Sequence, residues 1–132
     1  MKKESGRKEE ETQTQRIAVI EEIADDIYSI KFILQSIGYE VDSFSSRDST
    51  HEALHEFSPQ LIIVDMMIPD GQAYQIMNDL GKSRLKKVPI LAITAQAMAG
   101  EEQDVYKAGG KDVLPKPYEV SDLRKKLKKW LK

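Results

Sequence analysis

From about Arg16 onward, short continuous apolar runs alternate with apolar residues at helical spacing. Ile17-Ala18-Val19-Ile20 has the length and composition of a buried strand. It is followed by Ile27, Ile30, Ile33, Leu34 and Ile37 on one helix face, stopped by Gly38. Tyr39 to Phe44 predicts the second strand, Ser45 to Thr50 a polar loop, and Thr50 to Phe57 a short helix ended before Pro59. Leu61-Ile62-Ile63-Val64 is the third strand and ends in Asp65, ahead of the turn Pro69-Asp70-Gly71 and a helix from about Gln72 to Lys82. Ile90 to Ile93 is the fourth strand, with a helix from Ala97 to Lys107 closed by Gly109-Gly110. Asp112 to Leu114 and a terminal helix from Glu119 complete the series. Five short β-branched strands alternating with five helices predict an α/β domain, a doubly wound parallel sheet covered on both faces. Residues 1 to about 15 are polar and aperiodic, and predict a disordered charged tail before a domain spanning 16–132.

Composition narrows the function classes. A chain of 132 residues is long enough for one real core. A formal net charge of −2 argues against direct nucleic-acid binding and against a membrane-surface protein. There is no cysteine, so neither a disulfide framework nor a thiolate metal site is available. No apolar stretch is long enough for membrane insertion, and no apolar core follows Met1-Lys2-Lys3-Glu4 as a secretory signal requires. A cytoplasmic protein is expected. The basic run Arg124, Lys125, Lys126, Lys128 and Lys129 reads as the solvated face of a helix that buries Val120, Leu123, Leu127 and Trp130 or Leu131.

The chemistry lies where the strands stop. In open parallel sheets the ligand site sits beyond the carboxyl ends of the strands. Strand one ends before Glu21-Glu22, strand three at Asp65, strand four at Thr94 and strand five at Lys116. Three carboxylates, a hydroxyl and an ammonium therefore meet at one rim. Clustered carboxylates suit a hard cation such as Mg²⁺, and a cation, a lysine and a hydroxyl around a remaining acid suit a phosphoryl group. Asp25-Asp26 reads instead as the acidic first turn of helix one.

With these residues in place, the stretch from about Arg16 to Leu131 resembles the receiver domain of two-component response regulators. This is the CheY-like, flavodoxin-like fold with strand order 2-1-3-4-5. The resemblance is carried by the acidic pair after strand one, Asp65 with Pro69 four residues on, Thr94-Ala95, and Lys116-Pro117. It is supported by Ala95-Gln96-Ala97-Met98-Ala99-Gly100 and Ala108-Gly109-Gly110. The resemblance implies that Asp65 accepts phosphoryl from a histidine kinase or histidine phosphotransfer protein. It implies that Glu21, Glu22, Asp65 and the Met67 backbone carbonyl arrange Mg²⁺, that Lys116 pairs with phosphoryl oxygens, and that Thr94 swings inward to them. It further implies a cis bond between Lys116 and Pro117, partner contact on helix one near Tyr28 and Phe32, and output through a downstream protein. A phosphorylation-dependent dimer is admitted by the same resemblance. The protein is then a phosphoacceptor in signal transduction or a phosphorelay, with no enzyme activity beyond Mg²⁺-dependent self-phosphorylation and self-dephosphorylation.

The chain departs from that pattern in places. Its acidic pair is two glutamates, where relatives usually carry Asp-Asp or Glu-Asp, and Val113 stands where relatives often carry Tyr or Phe. Ala73 replaces a common glycine. The pattern ends within a residue or two of the fifth helix, which reads as a single-domain regulator without an attached effector. The alternative is a degenerate receiver that serves as a phosphorylation-independent interaction module. A distant third reading is a zinc peptidase, from the H-E-x-x-H match His51-Glu52-Ala53-Leu54-His55. That segment passes straight into a buried strand, and no third histidine exists to complete a catalytic zinc site.

Overall fold

The computed structural model describes residues 14–45, 50–95 and 99–131. The predicted tail lies almost wholly outside them, although the Gln15 carbonyl accepts a hydrogen bond from Glu40 N–H at 3.0 Å. The strands are β1 (Arg16–Ile20), β2 (Glu40–Phe44), β3 (Leu61–Asp65), β4 (Ile90–Thr94) and β5 (Asp112–Pro115). The helices are α1 (Ala24–Ile37), α2 (Thr50–Phe57), α3 (Gln72–Leu80), α4 (Ala99–Ala108) and α5 (Val120–Trp130), with a 3₁₀ turn over Pro69–Gly71. All strand pairs are parallel and the order is β2-β1-β3-β4-β5, the 2-1-3-4-5 order expected.

Strand alternation sends successive side chains to opposite layers. Ile17, Val19, Leu61, Ile63, Leu91, Ile93 and Leu114 pack on Ile30 and Leu34 of α1 and on Leu123 and Leu127 of α5. Ala18, Ile20, Ile62, Val64, Ile90, Ala92 and Val113 pack on Leu54 of α2, Ile76 and Met77 of α3, and Val105 of α4. Both faces are thus covered, which is why β3 and β4 are buried at every position. Val113 itself is 4% exposed, an aliphatic member of the α2/α3/α4 layer.

Helix ends follow local chemistry. Gly38, at φ 121°, closes α1 by donating to Leu34 O and Gln35 O. Glu119 and Asp122 form a reciprocal capping box at the start of α5. The helix predicted to reach Lys82 stops at Leu80, because the chain after it closes into tight turns, Lys82 N–H to Asp79 O and Ser83 N–H to Leu80 O. The α4 helix begins at Ala99 among the described residues, and residues 96–98 lie outside them. β5 runs one residue further than predicted, since Pro115 still pairs with Thr94. No helix among the described residues is long and apolar enough to cross a membrane.

Candidate functional site

Parallel register puts the strand ends side by side. Ile20 pairs with Val64, Asp65 with Ile93, and Thr94 with Pro115. Asp65 is only 3% exposed, and both of its oxygens are engaged. Met67 N–H donates to Oδ1 at 2.7 Å, which folds the chain after β3 back over the rim, and Lys116 Nζ donates to Oδ2 at 3.0 Å. The Lys116–Pro117 peptide is cis.

Glu21 lies beside Asp65 and is 5% exposed. Its Oε1 accepts N–H groups from Glu22 at 2.8 Å and Ile23 at 3.2 Å, which turns the carboxylate inward. Burial and its hydrogen bond to Asp65 push the Glu21 carboxyl up to about 7. Burial would raise Asp65 as well, but hydrogen bonds from Glu21, Met67 N–H and Lys116 hold it below the usual range. Asp65 is therefore the more acidic member of the pair and Glu21 the one that holds a proton more tightly. Burial would lower Lys116, but its bond to Asp65 and the charges of Asp26 and Glu21 raise it, so it stays a cation.

The sequence reading missed one acid at the rim. Glu21, Asp26 and Asp65 each offer a carboxylate oxygen, and these oxygens all lie within 4.8 Å of one another. Asp26 Oδ2 also stands 3.8 Å from Lys116 Nζ. Asp26 does sit in the first turn of α1, as its sequence context predicts, and the same turn overhangs the rim. Glu22 falls outside that carboxylate group, and its own N–H is spent on Glu21. An all-oxygen acid cluster, buried at Glu21 and Asp65 and part-buried at Asp26, is a chemical fit for Mg²⁺, which would balance the crowded negative charge. Ser29 and Tyr118 also line the cleft, over an apolar floor of Val19, Ile30, Ile63 and Ile93.

Thr94 is fully buried at the same rim, and its carbonyl accepts Lys116 N–H at 2.7 Å. Its hydroxyl, however, donates to Glu101 Oε1 of α4 at 2.5 Å. Nothing in the sequence reading singled out Glu101; its only signal is a place in the first turn of the helix that follows Thr94. The His51–His55 segment lies on α2, anchored in the core by Leu54. The C-terminal end of α2 sits at the opposite, amino-terminal end of the strands, where Arg16 Nε donates to Phe57 O at 2.7 Å. Among the described residues, the metal-capable cluster is the acid group at the rim and does not include His55.

A family model of the response regulator receiver domain matches residues 17–128. The chain belongs to this receiver family. Among curated relatives, this receiver is 30% identical over 117 residues to the phosphate regulon transcriptional regulatory protein PhoB of Escherichia coli (strain K12), covering 86% of this chain and 50% of that one. The chain thus spans about half the length of the curated relatives it matches. Among solved structures it superposes on the chemotaxis protein CheY4 of Vibrio cholerae with a TM-score of 0.82 at 21% identity, covering 90% of this receiver and 100% of that chain. The receiver domain of sensor histidine kinase PA1611 from Pseudomonas aeruginosa PAO1, described with a magnesium ion coordinated in its active site cleft, gives a TM-score of 0.79 at 25% identity over 89% of this chain and 98% of that one.

Proposed function

We propose that this receiver is a cytoplasmic response regulator in which Asp65 accepts a phosphoryl group from a phosphohistidine of a kinase or phosphotransfer protein. The observation that carries the reading is a buried carboxylate gripped by Lys116 at 3.0 Å beside a second buried acid, Glu21. In the transfer, an Asp65 Oδ forms a bond to phosphorus as the P–N bond breaks. The electron pair of that bond returns to the imidazole nitrogen of the partner, and Asp65 becomes an acyl phosphate. Lys116 leaves its ion pair with the carboxylate and follows the charge onto the phosphoryl oxygens. The Thr94 hydroxyl, at the adjacent strand end, is the further donor for those oxygens.

Glu21 and Asp65, with Asp26 in reach, would hold a Mg²⁺ ion, with Glu22 and the Met67 carbonyl as the other candidate ligands. When bound, the metal neutralises the acid cluster and the incoming phosphoryl oxygens. Output runs through protein contact. The α1 surface suits docking of the phosphohistidine-bearing partner, since Tyr28 and Phe32 expose 73% and 62% of their surface and Ile23 just before the helix 53%.

Incubation with Mg²⁺ and acetyl phosphate is expected to add one phosphoryl mass to the wild type and none to Asp65→Asn, as read by intact-mass spectrometry. No adduct on the wild type, from this donor or from a histidine kinase, would support the degenerate-receiver alternative instead.

A further inference from the structure

The sheet places Thr94 and Asp65 on different layers. Asp65 pairs with Ile93, and the Ile63 and Ile93 side chains belong to the α1/α5 core. One residue on, Thr94 has the parity of Ile90 and Ala92, which face the α2/α3/α4 core. There the Thr94 hydroxyl donates to the Glu101 carboxylate at 2.5 Å, the length of a charge-assisted O–H···O⁻ bond. A hydroxyl carries one proton, so the hydrogen given to Glu101 is withheld from any anion at Asp65.

We infer that Glu101 is a positioning residue for Thr94, a carboxylate that holds the hydroxyl on the α4 side and competes with the phosphoryl group for its single proton. The inference rests on Asp65 being the phosphoacceptor. It also supplies a route from the site to the surface. Val113 is an aliphatic core residue, so no β5 ring is present to follow Thr94. The hydroxyl instead touches the first turn of α4 directly, and its departure leaves a carboxylate there without that donor. The charge of the same carboxylate reaches Tyr74 of α3. Its phenol is pushed up by burial and by the charges of Glu101 and Asp104.

The competition is measured on the full chain by titrating beryllofluoride, a phosphoryl mimic, in the presence of Mg²⁺. Glu101→Ala is expected to bind it about tenfold tighter than wild type, and Glu101→Gln by an intermediate factor, the scale of a lost charge-assisted hydrogen bond. In a Thr94→Val background Glu101→Ala should change nothing. Equal affinities of wild type and Glu101→Ala, or a gain that survives in Thr94→Val, would overturn the inference; the second result would mean that Glu101 acts by charge alone. In fluoride-free protein, three-bond couplings of Thr94 should report one side-chain rotamer in wild type and averaging in Glu101→Ala; an unchanged rotamer also overturns it. Wild type that takes neither beryllofluoride nor phosphoryl removes the functional reading and the competition together. Wild type that binds while the Glu101 variants are indifferent removes the competition alone.

Discussion

At the scale of single residues, Asp65 is readable because a strand end is a fixed address. Parallel register carries Asp65, Thr94 and Lys116 to one rim, whatever the intervening helices do. First-turn helix residues lack that guarantee, because their placement depends on the angle at which the helix leaves the sheet. Asp26 and Glu101 are both of this kind, and both were missed as parts of the site. The geometry makes Asp26 more important to the metal than the sequence suggests. Asp26→Asn is expected to weaken Mg²⁺ binding about tenfold or more, the scale on which removing one supporting group acts. Glu22→Gln should weaken it less, because Glu22 stands outside the acid group. Calorimetric titration of the two variants decides the order, and a larger loss in Glu22→Gln would restore the arrangement implied by the family resemblance.

At the scale of elements, two joints hold the last strand and its neighbouring helices. Asp112 opens β5 at 6% exposure and accepts Lys126 Nζ and Trp130 Nε1, each at 2.9 Å, so α5 is tied to the sheet by more than its leucines. Part of the basic face that reads as solvated is thus an anchor, a contact no periodicity could reveal. Asp112→Ala should cost about 1–3 kcal/mol in chemical denaturation, since it removes two hydrogen bonds from part-buried donors, one of them charged. Burial would raise the Asp112 carboxyl from its ordinary 3.8, but the bonds from Trp130, Lys126 and Val113 N–H lower it. A depressed acid stabilises the fold above its ordinary value and loses that stabilisation as pH falls through the folded value. Wild type should therefore lose its advantage over Asp112→Ala below about pH 4, with the two converging in urea midpoint as acid increases. The second joint is at Gly110, where an added Cβ would run into Val105 Cγ1 at the end of α4. Gly110→Ala is expected to lower stability by about 1–3 kcal/mol, read as a drop in thermal midpoint.

For the whole molecule, the fold was legible because alternation and strand length repeat five times, so an error at any one helix end leaves the topology intact. The surface was less legible, because exposure of an apolar side chain is decided by which stripe of a helix meets the sheet. Tyr28 and Phe32 lie one turn apart on α1, while Ile30 and Leu34 take the buried stripe. The exposed pair therefore contributes little to the core, and Tyr28→Ser with Phe32→Ser should leave stability within about 1 kcal/mol of wild type. Apolar side chains this open beside a charged rim are suited to a partner that brings its phosphohistidine over Asp65, and aromatic anchors dominate such contacts. The double variant should accept phosphoryl from acetyl phosphate at the wild-type rate, because neither Tyr28 nor Phe32 lines the cleft the donor enters. Transfer from a phosphohistidine-bearing transmitter domain that phosphorylates wild type should fall by about thirtyfold or more, the loss expected from one buried aromatic anchor. Equal slowing with both donors would place the damage in the cleft itself. Unchanged transfer from the protein donor would leave α1 outside the docking face and move the search to another surface around the rim.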